Sequence, residues 1–329
     1  MEHKLKLLNM ELTTACPLRC PQCYCHLYEG KHLAKEIAFH WIDEASRFGV
    51  ETLNLSGGET LCYPFLEDVV AYAHQQGIKV NTAISGYRFN QEAYEKLIQA
   101  GVTGFFVSLN GSTEEINSKS RDGYQLALSA LGLLKENNYK NVTINWVMQK
   151  SNSDDFENLI HLAEEYEVSR LVVIGLKPDS KNEFMNTPTL EQMKSVCQTI
   201  RQYAGNVTLS IETCYSPLLA LISDSFFFGN TNTGIEKGCM AGRSNASISV
   251  DGKLSPCRHL EYYEEWDNLF DYWTKSPVLQ KIRSLEESKK APCDSCHYGP
   301  YCRHCLAINA KIHNDLYIGN EFCPIYQEQ

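Results

Sequence analysis

The placement of its cysteines is the feature that most limits how this chain can fold. The sequence has 14 cysteines in 329 residues, about 4%, and seven of them lie between positions 239 and 323, where little periodic apolar pattern is present. A segment with so few core-forming residues is hard to stabilise without cross-links or metals. Small disulfide scaffolds usually exceed about 8–10% cysteine. The count alone leaves disulfides, zinc and iron–sulfur clusters as the three chemistries to weigh.

No stretch of the sequence is typical of a targeting or membrane segment. The N-terminal residues lack an apolar stretch long enough for a signal-peptide core. The longest apolar runs, such as residues 171–176, are far shorter than the roughly 20 residues that cross a bilayer. We therefore expect a cytoplasmic protein that does not bind a membrane. In a reducing cytoplasm, paired cysteines more often bind metals or act in catalysis than form disulfides.

The charge of the chain disfavours nucleic acid as its main partner. Lysine plus arginine number 30 and aspartate plus glutamate number 40, which leaves a formal net charge of −10. An acidic surface is poorly suited to hold a phosphate backbone. Hydrophobic residues make up 43% of the chain, which is ordinary for a soluble globular protein and excludes wholesale disorder.

Strand and helix patterns alternate over the first 200 residues. Apolar runs rich in β-branched residues predict strands near 5–13, 51–56, 78–84, 103–109, 141–148 and 169–175. Helical spacing of apolar residues lies between them, for example over 156–166 and 190–203. Six strand–helix units in series predict an α/β fold with a parallel sheet, either open or curled toward a barrel. In such folds the active site lies at the C-terminal ends of the strands.

The pattern changes after about residue 205. One more strand-like stretch covers 207–211, followed by a short apolar helix candidate and the turn-rich segment 229–234. We predict a first domain over 1–205, a bridging segment over 206–235 and a small cysteine-rich domain over 236–329.

A first group of cysteines follows the first predicted strand directly. Cys16, Cys20 and Cys23 have the spacing C-x3-C-x2-C, and Cys25 stands two residues further on. Three thiolates on one loop can hold three irons of a [4Fe–4S] cluster and leave the fourth iron open to a ligand, because fully ligated clusters normally use four cysteines. A zinc site with a distant fourth ligand is the alternative.

This loop resembles the C-x3-C-x-aromatic-C signature of the radical SAM enzymes. Gln22 takes the place of the aromatic residue that lies against adenine, and Tyr24 follows the last cysteine. Further elements of that family appear in the expected order, each after its own strand. The resemblance implies S-adenosylmethionine (SAM) contacts from Gln22, Gly57, Gly58, Glu59, Ser108, Arg121, Asn145 and Leu176.

Each of these residues has a role that the resemblance implies. Gly57, Gly58 and Glu59 are similar to the GGE motif, which meets the methionine amino group. Ser108 begins a segment similar to SLDG, in which Asn110 replaces the aspartate. Arg121 would bind the SAM carboxylate, with a surface salt bridge as its alternative role. By the same resemblance, Asn145 would face the ribose and Leu176 the adenine.

The resemblance also implies a fold and a mechanism. The fold is a partial (β/α)6 barrel similar to a TIM barrel. One electron from the reduced cluster, supplied by a flavodoxin- or ferredoxin-like reductant, would cleave SAM to a 5′-deoxyadenosyl radical that abstracts hydrogen from an unactivated C–H bond. The cofactors carry the hard chemistry, and the protein supplies position, a dry cavity and tuned potentials.

The C-terminal cysteines resemble the ligands of a SPASM domain. The family spacing is C, G-x4-C, a gap, C-x2-C-x5-C-x3-C, a gap and C, although here only two residues separate Cys302 from Cys305. The resemblance implies two auxiliary [4Fe–4S] clusters and therefore three in all. The first would use Cys239, Cys257 and Cys305 with Cys214 as a candidate fourth ligand, and the second Cys293, Cys296, Cys302 and Cys323. Zinc is the alternative, because C-x2-C pairs also occur in zinc ribbons.

The remaining cysteines have less defined roles. Cys197 lies on the apolar face of a predicted helix and reads as a buried core thiol. Cys62 could donate a hydrogen atom to a substrate radical or simply pack, and Cys214 is the other candidate donor if it is not a ligand. The role of Cys25 stays open between metal binding and packing.

The resemblance implies a radical SAM/SPASM peptide maturase that forms an intrapeptide thioether or C–C cross-link. Its alternatives are a peptide epimerase, a formylglycine-forming sulfatase-maturing enzyme and a small-molecule decarboxylase or dehydrogenase. A non-catalytic electron carrier is the hypothesis from another class, and the SAM-contacting set argues against it. Because the first strand begins within about five residues, we expect a separate leader-binding protein or direct docking of the peptide.

Overall fold

Parallel strands alternate with helices along the computed structural model, as the sequence predicts. The structure describes residues 3–25, 30–177, 186–223, 238–299, 302–319 and 323–328, so the turn-rich segment predicted at 229–234 lies outside it. The strands are β1 Leu7–Thr13, β2 Thr52–Gly57, β3 Lys79–Ile84, β4 Gly104–Ser108, β5 Val142–Met148, β6 Arg170–Gly175, β7 Thr208–Ile211, β8 Asn245–Ile248 and β9 Leu254–Ser255. The first seven begin and end within two residues of the predicted limits.

The helices fill the intervals between these strands and continue after β9. They are α1 Lys35–Phe48, α2 Leu66–Gln75, α3 Gln91–Ala100, α4 Glu114–Ser118, α5 Tyr124–Glu136, α6 Phe156–Glu165, α7 Leu190–Gln202, α8 Pro217–Ile222, α9 Leu269–Lys275, α10 Pro277–Arg283, α11 Leu306–His313 and α12 Pro324–Glu328. Among the described residues, none of these helices is both long and apolar enough to cross a membrane.

The chain divides into two compact units. The first contains Met1–Ser108, Arg121–Thr143 and Ala241–Arg283. The second contains Leu109–Ser120, Ile144–Met240 and Ser284–Gln329. The domain limits predicted from the sequence divide the chain differently and stay a prediction.

The first unit has a sheet with the strand order β4-β3-β2-β1-β8-β9. The strands β1 to β4 are parallel, with Leu8 opposite Leu53 and Leu53 opposite Val80. These three side chains are almost completely buried, as expected for parallel strands that are covered on both faces. The carboxyl ends of β1 and β2 are therefore adjacent.

A C-terminal hairpin extends this sheet. β8 pairs with β9 in antiparallel fashion, and Gly252 in the turn between them has φ +78°, which favours glycine. The Asp251-Gly252 sequence is a hairpin signal, which fits the hairpin found here. β8 also pairs parallel to β1, with Leu7 opposite Asn245. Sequence periodicity carries no signal for this second pairing because the partners lie far apart along the chain.

The second unit has the strand order β7-β6-β5. β6 and β7 are parallel, with Leu171 opposite Leu209. The helices α6 and α7 bury the apolar faces that their spacing predicts, through Phe156, Leu159, Ile160 and Ala163 on α6 and Met193, Val196 and Cys197 on α7. The predicted α/β fold with a parallel sheet and a cysteine-rich C-terminal region is confirmed.

Candidate active site

The three cysteines of the first group lie on the loop that follows β1. Cys16, Cys20 and Cys23 are half-buried, and the Cys23 amide donates to the Cys20 carbonyl over 3.1 Å. Arg19 fixes the loop, because its amide donates to Asp122 Oδ2 over 2.7 Å and its guanidinium donates to the Cys16 carbonyl over 2.7 Å. The hydrogen bonds of Arg19 thus fix the position of the loop that bears the three thiols.

The electrostatics of this loop favour a bound cation. Burial raises the pKa of the Cys16 thiol to about 11, and Glu59, Cys20 and Cys23 add to this effect while a hydrogen bond from the Leu18 backbone opposes it. A coordinating metal has the opposite effect on the thiol pKa, because it deprotonates its thiol ligands outright. The donor set therefore suits an iron–sulfur cluster, with negative groups gathered around the thiols.

The glycines after β2 lie directly against the cysteine loop. The Gly58 amide donates to the Thr13 carbonyl over 2.6 Å, and the Glu59 amide donates to the Ala15 carbonyl over 2.8 Å. A Cβ atom on Gly57 would lie 2.3 Å from the Thr13 oxygen, and one on Gly58 would lie 2.4 Å from the Ala15 oxygen. No side chain fits at either position, so the two glycines allow the backbone to approach the loop closely.

Glu59 is a buried carboxylate at the same edge of the sheet. Its side chain accepts hydrogen bonds from the Ser85 amide over 2.8 Å, from the Ser85 hydroxyl and from the Leu61 amide over 3.3 Å. Burial raises the pKa of Glu59, although these hydrogen bonds and the charge of Arg121 act in the opposite direction. A buried carboxylate held by these hydrogen bonds is suited to pair with a cationic group of a ligand.

Ser56 provides a polar atom that nothing in the described part of the chain satisfies. Its side chain is 3% exposed, and its hydroxyl has no hydrogen-bond partner among the described residues. Buried polar atoms nearly always have a partner, so this hydroxyl fits a contact with a bound polar molecule. Together with the close-packed glycines and Glu59, it indicates that the residues around the end of β2 fit SAM.

The segment that follows β4 is held by Asn110. Its amide nitrogen donates to Ser120 Oγ over 2.8 Å, and its amide oxygen accepts from the Val147 amide over 3.1 Å. The Asn110 backbone amide donates to Asn117 Oδ1 over 2.8 Å. Asn110 thus donates to Ser120 and accepts from Val147, whereas an aspartate at this position could only accept.

The other residues predicted to contact SAM lie in strands or in loops. Ser108 ends β4, and Arg121 follows α4 and is electrostatically coupled to Glu59. Asn145 is half-buried on β5, and its carbonyl accepts from the Leu109 amide over 3.1 Å. Leu176 directly follows β6, and Gln22 is half-buried beside Cys23. Their predicted roles toward SAM stay predictions.

Cys25 and Tyr24 are both engaged by neighbouring residues. The Cys25 thiol donates to the Gly57 carbonyl over 3.0 Å. The centroids of the Tyr24 and His259 rings lie 4.4 Å apart. The Arg258 guanidinium lies over the Tyr24 ring, 5.4 Å from its centroid. Tyr24 therefore packs against the segment after β9, a contact that the sequence does not indicate.

Cys62 lies at the end of the 3-10 turn that Glu59 precedes. Its amide donates to the Glu59 carbonyl over 2.9 Å, and its side chain is half-buried. Burial raises the pKa of Cys62, and the charge of Glu59 adds to the rise while that of Arg88 opposes it. The thiol is thus neutral and close to Glu59, which is compatible with either predicted role, hydrogen donation or packing.

In the second unit, six predicted ligand cysteines line one cavity. The cavity has a volume of about 70 Å³. Its cysteines are Cys214, Cys293, Cys296, Cys302, Cys305 and Cys323. Burial raises the pKa of Cys302 to about 12, and the neighbouring thiols of Cys323, Cys293 and Cys296 contribute. A thiol-lined cavity of this kind fits an iron–sulfur site by its donor chemistry.

Within the described ranges, no three His, Cys, Asp or Glu side chains already converge on one point as ligands of a single metal ion. The individual ligand assignments therefore stay predictions. Cys239 is in the same unit as the cavity, and its amide donates to the Arg303 carbonyl over 2.8 Å. Cys257 belongs to the first unit. Cys197 is buried on α7 as predicted, and its thiol donates to the Leu218 carbonyl over 3.3 Å.

Sequence reasoning missed His304, which also lines this cavity. Its Nε2 lies 3.1 Å from the Leu316 carbonyl, and its Nδ1 lies 3.5 Å from the Cys293 thiol. Burial lowers the pKa of His304 to about 4, so the ring is neutral at physiological pH. Its position between Cys302 and Cys305 was the only signal in the sequence.

A pair of thiols lies at the edge of the same cavity. The Cys214 and Cys305 side chains are hydrogen-bonded to each other, and this bond lowers the pKa of Cys305 to about 7 while it raises that of Cys214. The charge of Lys177 acts in the same direction on Cys305. Burial alone would lower the pKa of Lys177, but Cys214, Glu212 and Cys305 outweigh burial and raise it.

Comparison with known proteins identifies the domain that contains the first site. Residues 10–163 match the family model of the radical SAM superfamily, a range that includes the cysteine loop, the glycines after β2 and Glu59. The chain carries a radical SAM domain. The prediction of a radical SAM enzyme is confirmed, and a radical SAM domain implies SAM and a [4Fe–4S] cluster as cofactors.

Related proteins match this chain over most of its length. The AdoMet-dependent heme synthase of Methanosarcina barkeri is 26% identical and covers 93% of each chain. The PqqA peptide cyclase of Granulibacter bethesdensis is 26% identical over 88% of this chain and 79% of the cyclase. The crystal structure of Streptococcus suis SuiB bound to precursor peptide SuiA has a TM-score of 0.80 at 19% identity, over 97% of this chain and 76% of SuiB. The likeness to SuiB concerns the fold.

Glu59→Gln is expected to weaken SAM binding by about ten- to hundredfold, because hydrogen bonds to charged groups contribute about 1.5–3 kcal/mol. The same change should raise the melting temperature of the SAM-free protein at pH 7.5. The pKa of Glu59 is raised above its usual 4.5, so its contribution to stability is present below pH 4.5 and is lost as the pH rises through the folded value.

The measurements for this variant are equilibrium dialysis with labelled SAM and thermal unfolding at several pH values. The gain in melting temperature should narrow as the pH falls toward 4.5. Glu92→Gln is the matched control, because Glu92 is an exposed carboxylate that pairs with Lys96 at 2.7 Å. Wild-type SAM affinity in Glu59→Gln would contradict the role given to this carboxylate.

Proposed function

We propose that this enzyme abstracts a hydrogen atom from a ribosomally synthesised peptide and forms an intrapeptide thioether or C–C cross-link. The observation that carries this proposal is the similarity to a PqqA peptide cyclase over 88% of the chain. The shared fold with SuiB, whose structure contains a precursor peptide, supports it. Both comparisons extend well beyond residues 10–163.

The residues around the end of β2 have defined parts in this proposal. Cys16, Cys20 and Cys23 would hold the cluster. When bound, SAM and the reduced cluster supply the hydrogen-abstracting radical. Gly57 and Gly58 keep the backbone close to the cysteine loop, and Glu59 orients a cationic group by charge. The Ser56 hydroxyl offers a further polar contact, and its burial keeps water away from that contact.

The C-terminal cysteines are proposed to hold two auxiliary [4Fe–4S] clusters, for three clusters in all. The cavity with six thiols supports this assignment by its donor chemistry. The proposed domains remain a radical SAM barrel over 1–205, a bridging segment and a SPASM domain over 236–329. A flavodoxin- or ferredoxin-like reductant, a separate leader-binding protein and a cytoplasmic location complete the proposal.

A second candidate function is small-molecule decarboxylation. The observation that favours it is the heme synthase similarity, which extends over 93% of both chains. The two candidates share the SAM site and differ in the molecule that donates the hydrogen atom. Epimerisation and formylglycine formation remain alternatives within the peptide class.

The deciding experiment measures product mass. The reconstituted enzyme, SAM and a reductant are incubated in heavy water with short peptides encoded beside its gene, and in parallel with haem precursors that carry propionate groups. A peptide that loses two hydrogens supports cross-linking or oxidation of a side chain, as in formylglycine formation, whereas one deuterium gained without other change indicates epimerisation. Unchanged peptides together with loss of carbon dioxide from a haem precursor would overturn the peptide proposal in favour of the second candidate.

A further inference from the structure

An ion pair between a buried lysine and a half-buried glutamate lies at the carboxyl ends of β6 and β7. The Lys177 side chain is 8% exposed, and its Nζ atom lies 2.6 Å from Glu212 Oε2. The same ammonium donates to the Gly175 carbonyl over 3.2 Å. Glu212 is held in turn, because its amide donates to the Val173 carbonyl on the neighbouring strand over 2.9 Å. The charges are therefore placed by the backbone of two paired strands.

The thiol pair of the cavity stands beside this ion pair. Glu212 directly precedes the 3-10 turn Thr213–Tyr215, which carries Cys214. The Cys214 thiol is hydrogen-bonded to Cys305, which caps α11. The Tyr215 ring packs on Gly175, where a Cβ atom would lie 2.9 Å from the ring. This contact fixes the turn, and with it Cys214, against the strand end that bears Lys177.

The Lys177 ammonium can donate one more hydrogen bond, which a sulfur atom could accept. A lysine side chain has three N–H donors, and Glu212 and Gly175 take two of them among the described residues. Cys214 and Cys305 are the cysteines whose thiolate forms interact electrostatically with Lys177. In a buried site, water does not screen this interaction, so a fixed positive charge has a strong effect on any negative group bound there.

We propose that the Lys177 ammonium, held in place by Glu212, raises the reduction potential of an auxiliary cluster bound by Cys214 and Cys305. This inference rests on the auxiliary clusters of the proposed function. Reduction adds one negative charge to a thiolate-ligated cluster, and a neighbouring cation stabilises the reduced form. Net charge and hydrogen bonds to the sulfurs are among the determinants of iron–sulfur potentials. Lys177 acts here as a positioning and tuning residue, not as a group that touches the substrate.

The test is a potentiometric titration of the reconstituted full-length enzyme, followed by electron paramagnetic resonance. Lys177→Met should lower the equilibrium constant for reduction at least tenfold, which is about 59 mV for one electron. Lys177→Arg keeps the charge and should stay near the wild-type potential. Glu212→Gln removes the compensating negative charge and should shift the potential upward. A residue with a merely structural role would not produce shifts of opposite sign.

Lys96→Met is the matched control, since it also removes a lysine–glutamate pair, with Glu92, but at an exposed site. Its potential should equal that of the wild type. Equal potentials of Lys177→Met and wild type at full iron content overturn this inference alone. If Lys177→Met loses its iron, an unshifted Glu212→Gln overturns it instead. A wild-type enzyme with iron for only one cluster overturns the auxiliary-cluster assignment, and this inference with it.

Discussion

Replacing Cys16, Cys20 and Cys23 together with alanine is expected to abolish formation of 5′-deoxyadenosine. These three thiols are the only cysteines on the loop after β1 apart from Cys25, and the loop is held against the glycines that follow β2. Without them no cluster can be bound beside the proposed SAM contacts. The readout is 5′-deoxyadenosine by liquid chromatography in the presence of SAM and reductant.

Iron analysis of the same variant separates the first cluster from the others. If three clusters are present in the wild type, the variant should retain two thirds of the iron. Cys197→Ala is the control, because its thiol is buried on α7, and this variant should form 5′-deoxyadenosine at the wild-type rate. Continued product formation by the triple variant would show that the active site has been assigned to the wrong cysteines.

The second large effect is expected for Gly58→Ala, which should lower the rate of SAM cleavage about a hundredfold. The added Cβ would lie 2.4 Å from the Ala15 oxygen and 2.8 Å from the Ala15 carbonyl carbon. Both atoms belong to the backbone, so no side-chain rotation relieves the clash and the cysteine loop must move. A displacement of about 1 Å in an active site can cost about 10²-fold in rate.

Gly77→Ala is the control for Gly58→Ala. Gly77 has φ +78° but nothing within 4 Å of the added Cβ, so this variant introduces backbone strain without a clash. It should lose about 1–2 kcal/mol of stability and keep its rate of SAM cleavage. The two variants are compared by melting temperature and by 5′-deoxyadenosine formed per minute. A Gly58→Ala enzyme as fast as Gly77→Ala would contradict the close approach as a requirement.

The predictable part of the active site depends on local sequence. The cysteine loop and the glycines before Glu59 each follow an apolar strand, so their place at the carboxyl edge of a parallel sheet can be predicted without coordinates. What cannot be predicted is which hydrogen-bond partners each polar side chain has in the folded protein. In the sequence, Ser56 is simply the residue before the GGE-like segment. Only the packing around it in the folded protein buries its hydroxyl without a hydrogen-bond partner among the described residues.

The tuning site of Lys177 illustrates the opposite case. Lys177 and Glu212 are 35 residues apart, and Cys305 is more distant still along the chain. No periodicity links them, because they meet through the parallel pairing of β6 with β7 and through the placement of α11. The role of Cys214 was open in the sequence for the same reason. His304 is similar, since burial, which no local pattern specifies, lowers the pKa of its ring to about 4.

The amino-acid sequence by itself determined the strand order along the chain, the cysteine loop after β1 and the division of the cysteines into an early and a late group. These features depend on apolar runs and ligand spacing, which are local properties. Tertiary structure alone decided that β8 lies beside β1, that a carboxylate and a hydroxyl are buried at the end of β2, and that Lys177 stands by the Cys214–Cys305 pair. Those contacts join residues distant in sequence, and their energies depend on burial, which no local pattern specifies.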